Sequence, residues 1–353
     1  IAEFAEACYG KGVRHYVTLA SVAYMGCFLA AELTAIGAIT ALLSDVPPAW
    51  VIIGVALTTL IYTVLGGLRA SLATDRWQAW LLLILLCAVA GVTLWRLPSM
   101  PSDAALPDVP LGASLSVALT LIIAVTAANL FHQGYWQRLW AAQDSASLGR
   151  GAWLGAVMTV LVVMVIGGVG MMAALSGVSL GEPPMPFFAL LAEAPVWITL
   201  PALVLAVTLV TSSVDTLQNG IASLWATGDQ PKALHAARWI TVLLMVPVIL
   251  IALQGLSVLR LFLIADLLCA AIVVPVLLGL WQRMSPLAAI SGGVAGLVGA
   301  VLPGWLGQGS LMAGIMAATF PGSIPTLGPF VGALMLSSLV SVIVAWSTPV
   351  GKR

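Results

Sequence analysis

The stretch T-S-S-V-D-T-L-Q-N-G, residues 211–220, lies inside an otherwise apolar run from about Val196 to Ala226. On a helix turning about 100° per residue, Thr208, Ser212, Asp215, Thr216, Asn219 and Ser223 share an arc of roughly 100°. Leu205, Val207, Val210, Val214, Leu217 and Ile221 cover the remaining surface. Ser213 stands about 100° off the polar stripe. Hydroxyl and amide side chains commonly join neighbouring spans by hydrogen bonds. A carboxylate among them shifts the balance, because oxygen-only donor sets suit hard cations. The expectation is a membrane helix with one cation-binding face.

The rest of the chain agrees that this helix sits in a bilayer. Of 353 residues, 61% are hydrophobic and 7% charged, with 13 Lys+Arg against 13 Asp+Glu, and the mean hydropathy is +1.11. That composition belongs to a polytopic membrane protein and excludes a nucleic-acid partner or an acidic tail. Cys8, Cys27, Cys87 and Cys269 are scattered and read as packing residues. A span-length window gives ten spans, at about 16–43, 49–66, 77–95, 114–136, 152–175, 196–226, 236–254, 258–281, 286–302 and 328–347. Gly307 to Phe320 is too short to cross and reads as a loop or re-entrant piece. Residues 1–353 thus form a single all-α transmembrane domain.

With the N-terminus in the cytoplasm, Lys11, Arg14, Arg69, Arg76, Arg138, Arg150, Lys232, Arg238, Arg283, Lys352 and Arg353 fall inside, and Arg96 and Arg260 outside. The positive-inside rule therefore places both ends of the chain in the cytoplasm of a bacterial-type plasma (inner) membrane.

Ionisable groups at membrane depth need a partner or a purpose, and here they are Glu32, His132, Asp215 and Asp266. No HExxH, GxSxG or multi-His pattern accompanies them, so an enzyme is not expected. A second polar cluster, A-A-N-L-F-H-Q-G-Y-W-Q-R at 127–138, crowds Asn129, His132, Gln133 and Tyr135 around Gly134. Gly134 can permit local unwinding, and the cluster can make a pocket for a polar solute. Tyr135 to Arg138 also reads as an interfacial belt with Arg138 snorkelling. A third cluster, Y-T-V-L-G-G-L-R-A-S-L-A-T-D-R-W-Q at 62–78, joins spans two and three. Gly66-Gly67 can end one helix, and Asp75 with Gln78 can cap the next.

The third cluster resembles the signature of the sodium:solute symporters, the family of proline and sodium-glucose cotransporters. S-S-V-D-T at 212–216 is similar to that family's cation-binding helix, G-L-W-Q-R-M-S-P-L-A-A-I-S-G-G at 279–293 to its late loop, and E-F-A-E-A-C-Y-G-K-G-V-R at 3–14 to an early cytoplasmic loop. The resemblance implies a five-plus-five inverted-repeat fold like that of the leucine transporter. In it, residues 16–281 supply core helices three to ten, 286–347 accessory helices, and the first helices lie upstream of Ile1. It also implies a sodium ion held by Ser212, Ser213 and the Leu209 carbonyl, with Asp215, Thr216 and Asp75 near a second cation position. Asn129 matches a sugar-contacting asparagine, His132 stands where sugar transporters carry a gating tyrosine, a departure that weakens the case for sugar, and Gln133 and Asp266 complete the expected solute contacts.

The implied function is sodium-driven symport of a small organic solute across the lipid bilayer, with no cofactor beyond the coupling ion. The absence of Lys or Arg at depth near this cavity favours an amino acid, urea-like amide, sugar or polyol over a simple carboxylate. Alternatives are a proton-coupled carrier of the same fold and a transporter-like sensor input domain.

Overall fold

Thirteen α-helices and no strand make up the described part of a computed structural model, residues 1–96, 109–192, 194–225 and 231–348, excepting the side chains of 65–76, 79, 93, 94, 96 and 231–234. They are α1 (Ala2–Tyr9), α2 (Lys11–Leu43), α3 (Pro48–Arg96), α4 (Leu111–Asn129), α5 (Gln133–Trp140), α6 (Ser145–Leu175), α7 (Pro186–Ala189), α8 (Val196–Trp225), α9 (Pro231–Ala252), α10 (Val258–Leu277), α11 (Pro286–Gln308), α12 (Leu311–Ala318) and α13 (Leu327–Ser347). Among the described residues, eight helices are long and apolar enough to cross a membrane: α2, α4, α6, α8, α9, α10, α11 and α13. Their outer faces stay apolar, as with Leu154, Val160, Val163 and Met164 on α6, all exposed. Helices hydrophobic on every side are stable where lipid replaces water.

Local chemistry sets several boundaries. Ser285 caps α11 by accepting from the Ala288 N–H at 3.2 Å, Pro286 takes the first turn, and Gly309 ends the helix at φ 68°. Pro is preorganised at a helix start, and Gly reaches the left-handed conformation that closes one. Asp144 caps α6 in the same way, accepting from the Ser147 N–H at 2.6 Å.

Two boundaries depart from expectation. Spans two and three are limbs of one uninterrupted helical element, α3, apolar over Pro48–Val64 and Trp80–Val92. No helix ends at Gly66-Gly67 and none starts at Asp75. A straight helix of this length would run about 73 Å, more than twice the hydrocarbon thickness. Instead, Pro48 lies by Gly37 and Pro183, while Leu85, Val89 and Val92 pack with Ala189 to Leu191. Both ends therefore approach the segment before α8, so α3 does not run straight. Span four also ends early: α4 stops at Asn129, His132 is extended at φ −79° and ψ 94°, and α5 resumes at Gln133. The interruption precedes Gly134 rather than falling on it.

α2 and α10 form the buried centre, with α8 packed beside α2. α11 and α13 pair through glycines: a Cβ at Gly299 would stand 2.2 Å from the Gly332 carbonyl oxygen, and one at Gly332 2.2 Å from that of Gly299. Small residues let membrane helices approach this closely. α12 lies against α11, where a Cβ at Gly314 would meet the Val301 carbonyl at 2.6 Å. It is a half-length helix, as the short run from Gly307 to Phe320 suggests.

Replacing Gly299 with Ala should overpack the α11–α13 contact and cost about 1–3 kcal/mol. Gly307→Ala, with nothing within 4 Å of the added Cβ, should stay within about 0.5 kcal/mol. Thermal unfolding of the two variants in detergent checks the contrast.

Candidate cation and solute cleft

The polar face of α8 is partnered by three elements. From α3, Tyr62 donates to Asp215 Oδ2 at 2.7 Å, and Gln78 donates to the Thr208 carbonyl at 3.4 Å. From α2, Glu32 accepts a 2.8 Å hydrogen bond from Ser213 Oγ. From α5, Arg138 donates to Thr216 Oγ1 at 2.8 Å and to the Gly134 carbonyl at 3.2 Å. Asp215 is fully buried, and Gln218 beside it donates to Thr59 at 3.2 Å. Each bond satisfies a group that hydrocarbon would leave unpaired.

Close approach of α5 to α8 needs two glycines. A Cβ at Gly134 would stand 2.7 Å from Thr216 Cγ2, and one at Gly220 3.0 Å from the Gly134 backbone nitrogen. Gly134 thus serves packing and not unwinding. Trp136 steadies the interruption by donating from Nε1 to the Leu130 carbonyl at 2.8 Å.

A cleft of about 360 Å³ opens beside this junction, lined by Phe28, Gln78, Leu82, His132, Tyr135, Arg138, Leu209, Ser212, Ser213 and Thr216. His132 is buried, stacks on Tyr135 with centroids 3.9 Å apart, and meets Phe28 edge-on at 5.8 Å. The hydroxyl oxygens of Ser212, Ser213 and Thr216 give the cleft the donor chemistry of a hard monovalent cation. The aromatic side suits a small organic solute.

The structure thus joins Leu209, Ser212, Ser213, Thr216 and His132 in one place, with Asp215 directly behind. The other solute contacts lie elsewhere. Asn129 is exposed at the end of α4. Gln133 lines a separate cavity with Glu3, Trp136 and Trp140. Asp266 is on α10 and is not among the residues lining the cleft. The Asp75 side chain lies outside the described residues.

One expectation is corrected. Arg138 does not snorkel; its guanidinium turns inward to Thr216, so a cation does line the cavity. Ser213, off the stripe, donates to Glu32 of α2. Residues not assigned from sequence are Glu32, Tyr62, Tyr135 and Arg138. The intramembrane carboxylate at Glu32 was the signal available; which helix it would meet was not.

Comparison with known proteins follows this geometry. No protein-family model matches the chain. The spermidine transporter DUR31 of Candida albicans is 28% identical over 318 residues, covering 86% of this chain and 61% of that protein. The chain therefore spans about three-fifths of that curated relative. A solved sodium-coupled sialic acid symporter, in a substrate-bound outward-open state, superposes with a TM-score of 0.69 at 16% identity, over 100% of this chain and 78% of the other. The chain therefore shares the fold of that symporter. In this symporter-fold chain the polar face of α8 lies at the junction of α2, α3 and the interrupted pair α4–α5.

Tyr62→Phe removes one donor from a buried carboxylate, and a hydrogen bond to a charged group contributes about 1.5–3 kcal/mol. The variant should unfold at a lower temperature by an amount corresponding to that loss. Tyr135→Phe, whose ring already faces the open cleft, should unfold close to wild type.

Proposed function

We propose that the protein is a sodium-coupled secondary transporter of a small organic solute, working by alternating access between the two sides of the membrane. The observation that carries this reading is the shared wall: Leu209, Ser212, Ser213 and Thr216 line the same cleft as Phe28, His132 and Tyr135. An ion and a solute held on one wall can each alter the other's affinity, which is what coupling requires. An interrupted helix beside such a site is the arrangement by which many transporters hold ion and substrate near the bilayer midplane. The five-plus-five repeat would place residues 16–281 in core helices three to ten, with α11 to α13 outside that core.

Sodium is the ion favoured by the neutral oxygen donors, with Ser212, Ser213 and the Leu209 carbonyl as its ligands. Asp215 and Thr216, with Asp75, would form a second cation position. The solute is a small polar molecule, and the spermidine transported by the fungal relative adds amines to the amino acids, amides, sugars and polyols that the sequence favours.

The test is uptake into proteoliposomes with the sodium gradient imposed. Ser212→Ala, Ser213→Ala and Asp215→Asn should each raise the sodium concentration for half-maximal uptake by about three- to tenfold, the equivalent of one lost hydrogen bond or ligand. Uptake unchanged when choline replaces sodium, but driven by an ionophore-clamped proton gradient, would transfer the coupling to protons. Uptake indifferent to both ions would refute coupled transport.

A further inference from the structure

One residue pattern occurs on two helices that touch. α2 carries Phe28 and Glu32, and α10 carries Phe262 and Asp266, each an aromatic followed by a carboxylate four residues on. That spacing puts both groups of a pair on the same helix face. The aromatics meet, Phe28 on Phe262, with centroids 4.6 Å apart. The helices run in opposite directions. Tyr9, just before α2, donates to the Pro275 carbonyl near the end of α10 at 2.7 Å, while Phe28, further along α2, meets Phe262 near the start of α10. The carboxylates therefore fall on opposite sides of the aromatic contact. Eight residues of helical rise separate them, about 12 Å along the axes.

Among the described residues, neither carboxylate forms an ion pair. Asp266 is 8% exposed and makes no hydrogen bond or ion pair among the described residues. Glu32 accepts from Ser213 and has no ion pair among them. Among the described residues, Arg14 bonds Glu6, Arg260 the Thr319 carbonyl, and Arg138 Thr216 and the Gly134 carbonyl. A carboxylate at membrane depth costs several kcal/mol without a partner. Between the two lies an aromatic group of Tyr24, Phe28, His132 and Phe262, continued by Tyr135 stacked on His132. Aromatic faces attract ammonium groups and tolerate methylenes.

We propose that Glu32 and Asp266 are the two ends of a binding site for an extended organic dication, a diamine or polyamine, whose alkyl middle crosses Phe28 and Phe262. The site rests on the reading of this protein as a transporter, and it names the class of its solute. Sodium at the α8 hydroxyls lies beside the Glu32 end, through Ser213, so ion and amine share one wall. A monoamine engages one carboxylate, and a diamine or polyamine both.

Binding of spermidine, putrescine and butylamine to the purified full chain tests this by scintillation proximity. Spermidine and putrescine should bind at least about tenfold more tightly than butylamine, since a second charge-assisted contact is worth roughly 1.4 kcal/mol or more. Glu32→Gln, which keeps the carbonyl that accepts from Ser213, and Asp266→Asn should each weaken spermidine binding about tenfold and narrow its advantage over butylamine. Monodisperse size-exclusion profiles confirm that the variants fold. Spermidine binding no tighter than butylamine, or as tight in both folded variants as in wild type, overturns the dication site. Sodium-driven uptake of an uncharged solute without spermidine binding overturns it too, while leaving symport standing. Spermidine binding that depends on both carboxylates but not on sodium upholds the site and refutes the coupling.

Discussion

Everything around the site follows from placing the polar face of α8 where lipid cannot satisfy it. Hydroxyls, an amide and the Asp215 carboxylate share one helix whose other faces are apolar, and each unpaired group in hydrocarbon costs several kcal/mol. The partners come from three directions: Tyr62 and Gln78 of α3, Glu32 of α2 and Arg138 of α5. The same bonds fix the positions of those helices. The placing of α3 against α8 and the interruption between α4 and α5 are therefore parts of one solution to one solvation problem.

The interruption adds a second constraint. Its free backbone groups must be met locally, and the Trp136 indole meets one of them at the Leu130 carbonyl. Short α5 can then lean on α8, because Gly134 and Gly220 remove the side chains that would hold the helices apart. The result is a cleft lined by both oxygen donors and rings. An ion bound among the oxygens is positioned to change how a solute meets the rings.

Much of this was legible in the sequence. Helical periodicity alone grouped Ser212, Asp215, Thr216 and Asn219, because a 3.6-residue period survives any tertiary arrangement. Hydropathy located α2, α6, α8, α9, α10, α11 and α13 closely, since span length is set by the bilayer. What failed were choices between two physical uses of the same residue. Gly134 suits both an unwound turn and a close helix contact, and only the neighbour Thr216 decides. Arg138 beside Trp136 suits both an interfacial anchor and an inward donor, and only the position of α8 decides. Gly66-Gly67 resembles a helix end, yet α3 continues through it. Glu32 and Ser213 are 181 residues apart, and no local pattern announces that they meet.

The central claim is that the α8 oxygen wall and the aromatic side of the cleft act as one coupled site. Reciprocal binding at equilibrium tests it most directly, with radiolabelled sodium measured at rising solute concentration and radiolabelled solute at rising sodium concentration. Coupling requires each ligand to tighten the other by the same factor. Equal factors above one, both abolished by Ser212→Ala with Ser213→Ala, are the expected result. Sodium and solute affinities that are each unmoved by the other would contradict the account.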